Sequence, residues 1–206
     1  MYNRKLLLLF VIYKPSFEEV AQLIDCLSSL PEEIGYGVAV NSYDSNISIA
    51  KLLSRADLIQ INKDNPGYGV AINQLFEKIN ELPAFIGAIN QDIKWLPGTF
   101  ENILKWLQSH NDVVLAVPKI LNNSYQTQKL CKRNPTLLTL FSRRFIPNSI
   151  KPRWLKDYDN WYIMDDSDYE NVFDVPYLSG CCMIISSAAF ANIGGFDERF
   201  FLYLED

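Results

Sequence analysis

The chain has 206 residues, of which 49% are hydrophobic and 21% charged, and a formal net charge of −5. This is ordinary globular composition at a length that suggests one domain able to bury its own core, and the acidic balance argues against a nucleic-acid binder. The apolar run "LLLLFVIY" at 6–13 is shorter than the roughly 20 residues a bilayer span needs, and the "KPSFEEV" after it does not resemble a signal-peptide cleavage site, so a cytoplasmic chain is expected.

In chain order, "KLLLLFVIY" is a continuous apolar run of the kind a strand shows when both faces are covered. Ser16 and Glu19 form an S-x-x-E capping box, and Phe17, Val20, Ala21, Ile24 and Leu27 follow at helical spacing. "GYGVAV" (35–40) predicts a second strand, "IAKLLSR" (49–55) a short helix and "ADLIQI" (56–61) a third strand. A helix over 69–80 follows "NKDNPGYG", and "AFIGAIN" (84–90) is a fourth strand. Phe100, Ile103, Leu104 and Leu107 mark another helix, and "DVVLAVP" (112–118) a fifth strand. Alternation of this kind predicts an α/β fold, a mostly parallel central sheet flanked by helices. Ligands of such sheets bind beyond the carboxyl ends of the strands, which directs attention to "YKPS", "NSYDSN", "NKDNPGYG" and "NQDIKW".

After residue 120 the pattern changes. Lys129, Lys132, Arg133, Arg143, Arg144, Lys151, Arg153 and Lys156 fall in a stretch without an acid, and Asp157, Asp159, Asp165, Asp166, Asp168 and Glu170 follow. Two readings stand: a solvated pair of oppositely charged surfaces, or a phosphate- or membrane-facing patch beside an acidic loop. The final stretch, "VPYLSGCCMIISSAAFANIGGFDERFFLYLED", has strand character up to Ile185, then a short helix and a Gly-Gly break.

Four cysteines, Cys26, Cys131, Cys181 and Cys182, lack C-x-x-C spacing, and adjacent residues of a strand cannot both face one metal. They read as small buried hydrophobes of a reducing compartment. A single histidine, His110, argues against a His-rich zinc site and a Ser-His-Asp hydrolase.

Three constellations are chemically suggestive. Asn90 and Asp92 follow an apolar strand. In extended backbone they face the same way and suit a hard divalent cation, although Asn-x-Asp also caps turns. "NPGYGVAIN" (65–73) brings glycines to a helix start, where backbone N–H groups favour an anion or simply form a turn. It is not the dinucleotide fingerprint, since Ile72 stands where a third glycine is required. Glu205 and Asp206 follow an aromatic run, and apolar walls would raise a carboxylate's pKa towards that of a general base. The plainer reading is an exposed acidic end.

Together these motifs resemble the inverting GT-A glycosyltransferases of family 2, most closely the rhamnosyltransferase-like branch of bacterial surface polysaccharide assembly. "NPGYGVAIN" is similar to the family's N-x-G-x-x-x-A-x-N, and "INQDIKWLPGTF" to N-P-D-x-x-x-x-P-G, its version of the metal-binding DxD motif. "YLSGCCMIISSAAFANIGGFDERFFLYLED" is similar to the long S-G-A-x-M block that ends in Y-x-E-D. The resemblance implies a single GT-A domain, its nucleotide-sugar half at 1–120 and its acceptor-side half at 121–206. It also implies a continuation past Asp206 that would leave the present chain incomplete.

The resemblance further implies roles. Asp92 would ligate Mg²⁺ or Mn²⁺, with Asn90 directing the donor or completing the shell. Tyr13, Asn41, Asn65, Gly67 and Asn73 would line the nucleotide pocket, with Lys14 near a phosphate, and Ser179 and Gly180 would lie beneath the donor sugar. Asp206, with Glu205 beside it, would deprotonate the acceptor hydroxyl. The implied partners are a nucleoside-diphosphate sugar, with a lean towards dTDP-rhamnose, and a saccharide or lipid-diphosphate-linked acceptor at the cytoplasmic face of a membrane. Val40, Lys14, Gln91 and Ser187 depart from the usual Asp, Asn, Pro and Arg, the Gln91 change looking harmless. Two alternatives remain: a catalytically weak nucleotide-sugar-binding module, and a nucleotidyltransferase. The latter requires a glycine-rich loop after the first strand, and "YKPSFEEV" has no glycine.

Overall fold

A computed structural model describes residues 4–42 and 49–201, which form two compact units. The first comprises residues up to Ala116 and from Gly180 onwards, the second Val117–Ser179.

The first unit is built on a six-stranded sheet. Its strands are β1 (Leu6–Tyr13), β2 (Ile34–Asn41), β3 (Leu58–Asn62), β4 (Phe85–Asn90), β5 (Leu115–Ala116) and β6 (Cys182–Ser186), in spatial order β3-β2-β1-β4-β6-β5. The first four run parallel, and β6 is antiparallel to both neighbours. β1 is central because its sequence permits nothing else: Leu6 to Ile12 are buried without interruption, and only Tyr13 emerges. The fifth predicted strand shrinks to two residues at the sheet edge.

The helices of this unit are α1 (Phe17–Ser28), α2 (Ala50–Leu53), α3 (Tyr68–Glu77), α4 (Thr99–Ser109) and α7 (Ser187–Ile193). From β1 the chain steps outwards to β2 and β3, then returns past both to β4 on the other side of β1. Right-handed crossovers therefore place α1 and α3 on opposite faces. Side chains of β1 agree with two covered faces. A Cβ on Gly37 would come within 3.2 Å of Leu9 Cδ2 and 3.6 Å of Leu75 Cδ2 of α3. The next residue, Phe10, instead stacks on Trp95 at 6.1 Å between centroids, and Trp95 meets Phe100 of α4 edge-on at 5.1 Å.

α1 begins as expected. Ser16 Oγ accepts from the Glu19 N–H, and the Glu19 carboxylate accepts from the Ser16 N–H. Its inward face is Val20, Leu23 and Leu27; Phe17, in the first turn beside the cap, is 74% exposed and Ala21 is exposed too, against expectation. Of the cysteines only Cys182 is a buried hydrophobe, its thiol pushed up to about 12 chiefly by burial; the other three are half-buried and no disulfide joins any of the four.

α3 and α7 are joined by aromatic packing and by one buried amide. Phe190 meets Phe76 at 4.9 Å and Phe196 at 5.2 Å. Asn73 donates to the Phe196 carbonyl (2.9 Å) and to Glu198 Oε1 (3.0 Å), and accepts from the Phe196 N–H (2.9 Å). Gly194 and Gly195 both have positive φ, 81° and 84°, so the chain can leave α7 and turn back onto α3.

The second unit holds α5 (Leu137–Phe145) and α6 (Arg153–Tyr162), an antiparallel bridge between Lys132 and Tyr177, and ion pairs between Lys129 and Asp165 and between Arg133 and Asp166. Thr136 caps α5 through a reciprocal pair of bonds with Thr139. Between the helices lies a polar cluster: Asp159 receives Ser142 Oγ at 2.6 Å and Lys151 Nζ at 2.5 Å, and all three are buried. No helix among the described residues is long and apolar enough to cross a membrane.

Two predictions follow from the clamp and the cluster. A Cβ on Gly195 would stand 2.4 Å from Asn73 Oδ1, whereas one on Gly194 meets nothing within 4 Å. Gly194→Ala should cost about 1 kcal/mol in urea denaturation, for backbone strain alone, and Gly195→Ala about 2–3 kcal/mol because it also displaces the clamp. Equal losses would remove the clamp from the account. For Asp159, burial pushes the carboxyl up, but the hydrogen bonds from Lys151 and Ser142 and the charges of Lys151 and Arg143 outweigh it, so its pKa is lowered. Its contribution to stability is then complete above the unfolded value of about 3.9 and disappears as pH falls through the folded one. Fluorescence of Trp154 and Trp161 should hold steady down to about pH 4 and change only below it, and Asp159→Asn should flatten that acid limb.

Candidate functional site

The carboxyl ends of the four parallel strands are aligned by register. Tyr13 lies opposite Asn41, and Asn41 opposite Asn62. Asn90 pairs with Val11, two residues short of the β1 end. Three of the four strands thus end in asparagine and one in tyrosine. β1 has β2 on one side and β4 on the other, and the chain winds outwards to β2 and β3 before it enters β4, so the crevice of this sheet opens at the ends of β1 and β4.

Asn41 is fully buried and uses both ends of its amide. Its Nδ2 donates to Asn65 Oδ1 (3.0 Å) and, more weakly, to the Gly67 carbonyl (3.4 Å), while its Oδ1 accepts from Asn62 Nδ2 (2.9 Å). Asn62 Nδ2 also donates to Gln74 of α3, and Asn65 Oδ1 also accepts from the Gly67 N–H at 3.1 Å. Asn41, Asn65 and Gly67 therefore form one connected group. Amides suit this position because each both donates and accepts, linking strand ends without burying a charge. The Gly67 N–H is engaged by Asn65, so the glycine serves the turn. It has φ 102°, and a Cβ there would stand 2.6 Å from the carbonyl oxygen of Phe201.

At the crevice itself Gln91 bridges β4 to β1. Its Oε1 accepts from the Tyr13 N–H (2.9 Å) and its Nε2 donates to the Tyr13 carbonyl (3.3 Å). The residues that follow β1 and β2 lie in the left-handed region: Lys14 has φ 44° and Ser42 φ 51°, conformations costly for residues with a side chain. The Lys14 ammonium lies over the Tyr13 ring at 5.2 Å.

Asn90 ends β4. Its N–H donates to the Cys181 carbonyl (3.0 Å), which sets Gly180 directly beside this strand end, and its carbonyl accepts from the Ile93 N–H (3.3 Å). The chain therefore turns at once, and the extended backbone expected to align Asn90 with Asp92 is absent. Asp92 sits exposed on that turn, and none of the described residues pairs with its carboxylate. The turn is anchored from below by Trp95 between Phe10 and Phe100.

Among the described residues no three His, Cys, Asp or Glu side chains converge as a metal site. The Asp92 carboxylate and Asn90 amide oxygen are nonetheless the hard donors that Mg²⁺ or Mn²⁺ takes, and both ions commonly complete their shells with water and phosphate, so the donor set fits.

Asn73 lies one turn into α3 and faces the 196–198 segment rather than joining the Asn41 group. Ser179 is the last residue of the second unit. Glu205 and Asp206 lie outside the described residues, as does most of "NSYDSN". Asn62 and Gln74 were not singled out in the sequence, and Gln91 was noted only as a harmless departure from proline. The signal was present for Asn62, since "VAVN", "IQIN" and "GAIN" each end an apolar strand in asparagine.

No family model matches the sequence. Over 151 residues, 69% of this chain, the sequence is 25% identical to an N-acetylglucosaminyl-diphospho-decaprenol L-rhamnosyltransferase, with the same figures in two strains of Mycobacterium tuberculosis. The match covers 48% of that relative, so the chain spans about half the length of the curated relatives it matches. S. aureus TarS 1-349 in complex with UDP superposes with a TM-score of 0.60 at 15% identity, over 98% of this chain and 52% of that one. The mannosyltransferase PcManGT from Pyrobaculum calidifontis, in complex with GDP-Man and Mn²⁺, superposes with a TM-score of 0.60 at 12% identity, over 96% and 48%. The chain has the GT-A glycosyltransferase fold and is rhamnosyltransferase-like in sequence.

Proposed function

We propose that the first unit is the donor-binding part of an inverting glycosyltransferase that transfers a sugar from a nucleoside diphosphate to a saccharide or lipid-diphosphate-linked acceptor in surface polysaccharide assembly. One observation carries the reading: the amide-linked strand ends Asn41 and Asn62, with Asn65 of the loop after β3, and the exposed Asp92 turn share the edge where sheets of this kind bind ligands, and Phe201 lies against Gly67 at that edge. The relative's acceptor, a diphospho-decaprenol, supports a lipid-linked acceptor, and its rhamnose supports the dTDP-rhamnose donor that the sequence resemblance favours. UDP in TarS and GDP-Man with Mn²⁺ in PcManGT support a nucleotide donor and a divalent cation.

In this reading the nucleotide lies along Tyr13 and the Asn41–Asn65–Gly67 group, and Gln91 keeps the crevice at a fixed width by tying Tyr13 to β4. Gly180, without a side chain, leaves room for the donor sugar beside Asn90, with Ser179 next to it in the chain. Lys14 offers a positive charge to the diphosphate. Asp92 and Asn90 would hold Mg²⁺ or Mn²⁺, which when bound supplies Lewis-acid stabilisation of the diphosphate leaving group. Asp206, five residues past Phe201 in the sequence, is assigned as the base. Its carboxylate takes the acceptor hydroxyl's proton, with Glu205 beside it. The acceptor oxygen attacks the anomeric carbon opposite the diphosphate, and the carbon–oxygen bond to the diphosphate breaks with inversion.

Calorimetric titration with UDP-, GDP- and dTDP-sugars and Mn²⁺, followed by a donor-hydrolysis assay, tests the reading. Binding of a nucleotide sugar is expected, strongest for the dTDP donor; no heat at millimolar ligand with any of the three would overturn it, and binding without turnover would reduce it to a nucleotide-sugar-binding module. Asp92→Ala should abolish the Mn²⁺-dependent part of binding. Asp206→Asn should leave binding intact and lower turnover by about 100-fold or more, as for loss of a general base. Gln91→Ala should raise the donor Kd about ten-fold through loss of pre-organisation, with little change in unfolding midpoint.

A further inference from the structure

We infer that α5 and the segment leading into α6 are a docking surface for an anionic lipid bilayer. Their amphipathicity is inverted. The α5 residues turned inwards are Thr139 and Ser142, both fully buried, and Ser142 bonds to Asp159 in the polar cluster. The outward residues are apolar: Leu137 is 88% exposed, Leu140 53%, Phe141 56% and Phe145 67%. At 100° per residue, Leu137, Leu140 and Phe141 form a stripe on the side opposite Thr139 and Ser142, and Phe145 lies about 40° from Phe141 at its flank. Phe141 and Phe145 touch, 5.1 Å between ring centroids. Ile150 and Trp154, between α5 and the first turn of α6, are exposed as well. A water-facing helix carries the opposite pattern, and a contiguous apolar stripe of this kind marks a surface that something covers.

Charge identifies the occupant. Of the eight cations between 129 and 156, Lys129, Arg133 and Lys151 are paired with Asp165, Asp166 and Asp159. Arg144, Arg153 and Lys156 form no ion pair among the described residues, and they accompany the apolar stripe on α5 and the start of α6. Leu and Phe flanked by Arg and Lys, with an exposed Trp, is the composition of an interfacial helix on an anionic membrane. A second copy is the poorer fit: a two-fold contact would set the same unpaired cations against themselves. The inference does not rest on the sugar-transfer reading, because its test contains neither donor nor acceptor.

Flotation of the chain with phosphatidylcholine vesicles, and with vesicles in which about one-third of the lipid is phosphatidylglycerol, provides the test. Partition onto the anionic vesicles is expected to exceed that onto neutral ones by about ten-fold, to fall in about 0.5 M salt, and to blue-shift tryptophan emission. Leu140→Glu with Phe141→Glu, at exposed positions that leave circular dichroism unchanged, should reduce it about ten-fold or more, whereas Val172→Glu, equally exposed but outside the stripe, should not. No binding to anionic vesicles overturns the inference, as does binding that the double variant leaves unchanged. A dimer that the double variant dissociates, without vesicle binding, assigns the face to a second copy and overturns it too.

Discussion

The first unit depends on one strand being buried on both faces. With seven consecutive apolar residues, β1 can lie only in the middle of a covered sheet, so the chain must place strands on both of its sides and helices above and below. That arrangement reverses the direction of winding at β1, which opens the crevice between β1 and β4. It also brings the ends of β1, β2 and β3 to one level, where polar side chains meet. What those ends carry is then a matter of solvation. Buried carboxylates would demand cations; buried amides satisfy one another. The charged groups, Lys14 and Asp92, are left on the exposed turns, where they need no buried partner.

The C-terminal block belongs to the same edge by way of α3. Asn73 holds the 196–198 backbone as a strand neighbour would, with one donor and one acceptor to Phe196, and the two left-handed glycines make the approach possible. Gly67 completes the path, since only a residue without Cβ lets Phe201 pass so close to the start of α3. A C-terminal stretch distant in sequence from Asn41 and Asn65 is thereby tied to them through one helix: the start of that helix lies beside Phe201 and its buried face holds Phe196.

Much of this was legible in the sequence. Apolar patterning identified β1 to β4, continuous in β1 and interrupted in the half-buried β3, and the Ser16–Glu19 box identified the start of α1, because burial and cap chemistry leave local traces. Less local features were not. Phe17 follows the helical period yet lies outside the buried face, since periodicity fixes a stripe but not how far along it the neighbouring element extends. β5 kept two residues of the seven expected at 112–118, because an edge position shortens pairing without altering composition. Gln91 looked like a harmless replacement for proline. Its role depends on the Tyr13 backbone, 78 residues away in sequence, and no local pattern encodes that. The polar alternation of Asn90 and Asp92 was read as extended, but the chain turns where Ile93 bonds back to Asn90.

The second unit shows why the sign of an amphipathic face cannot be read from its period. "LLTLFSRRF" has a helical stripe of leucines and phenylalanines, and the ordinary inference would turn it inwards. The cap decides otherwise. Thr136 fixes the start of α5, Thr136 Oγ1 meets the Tyr158 hydroxyl of α6 at 3.1 Å, and nearly two turns later Ser142 meets Asp159. Once those bonds orient the helix, the apolar residues have only the outside left. Such an interior is poor in hydrophobic stabilisation, but a buried Lys–Asp pair that loses most of its partners in any other orientation specifies one packing. A unit of this size, with Leu155, Tyr162 and Met164 as its buried apolar residues, gains more from that specificity than from a handful of inward leucines, and the outward ones are free to serve a surface.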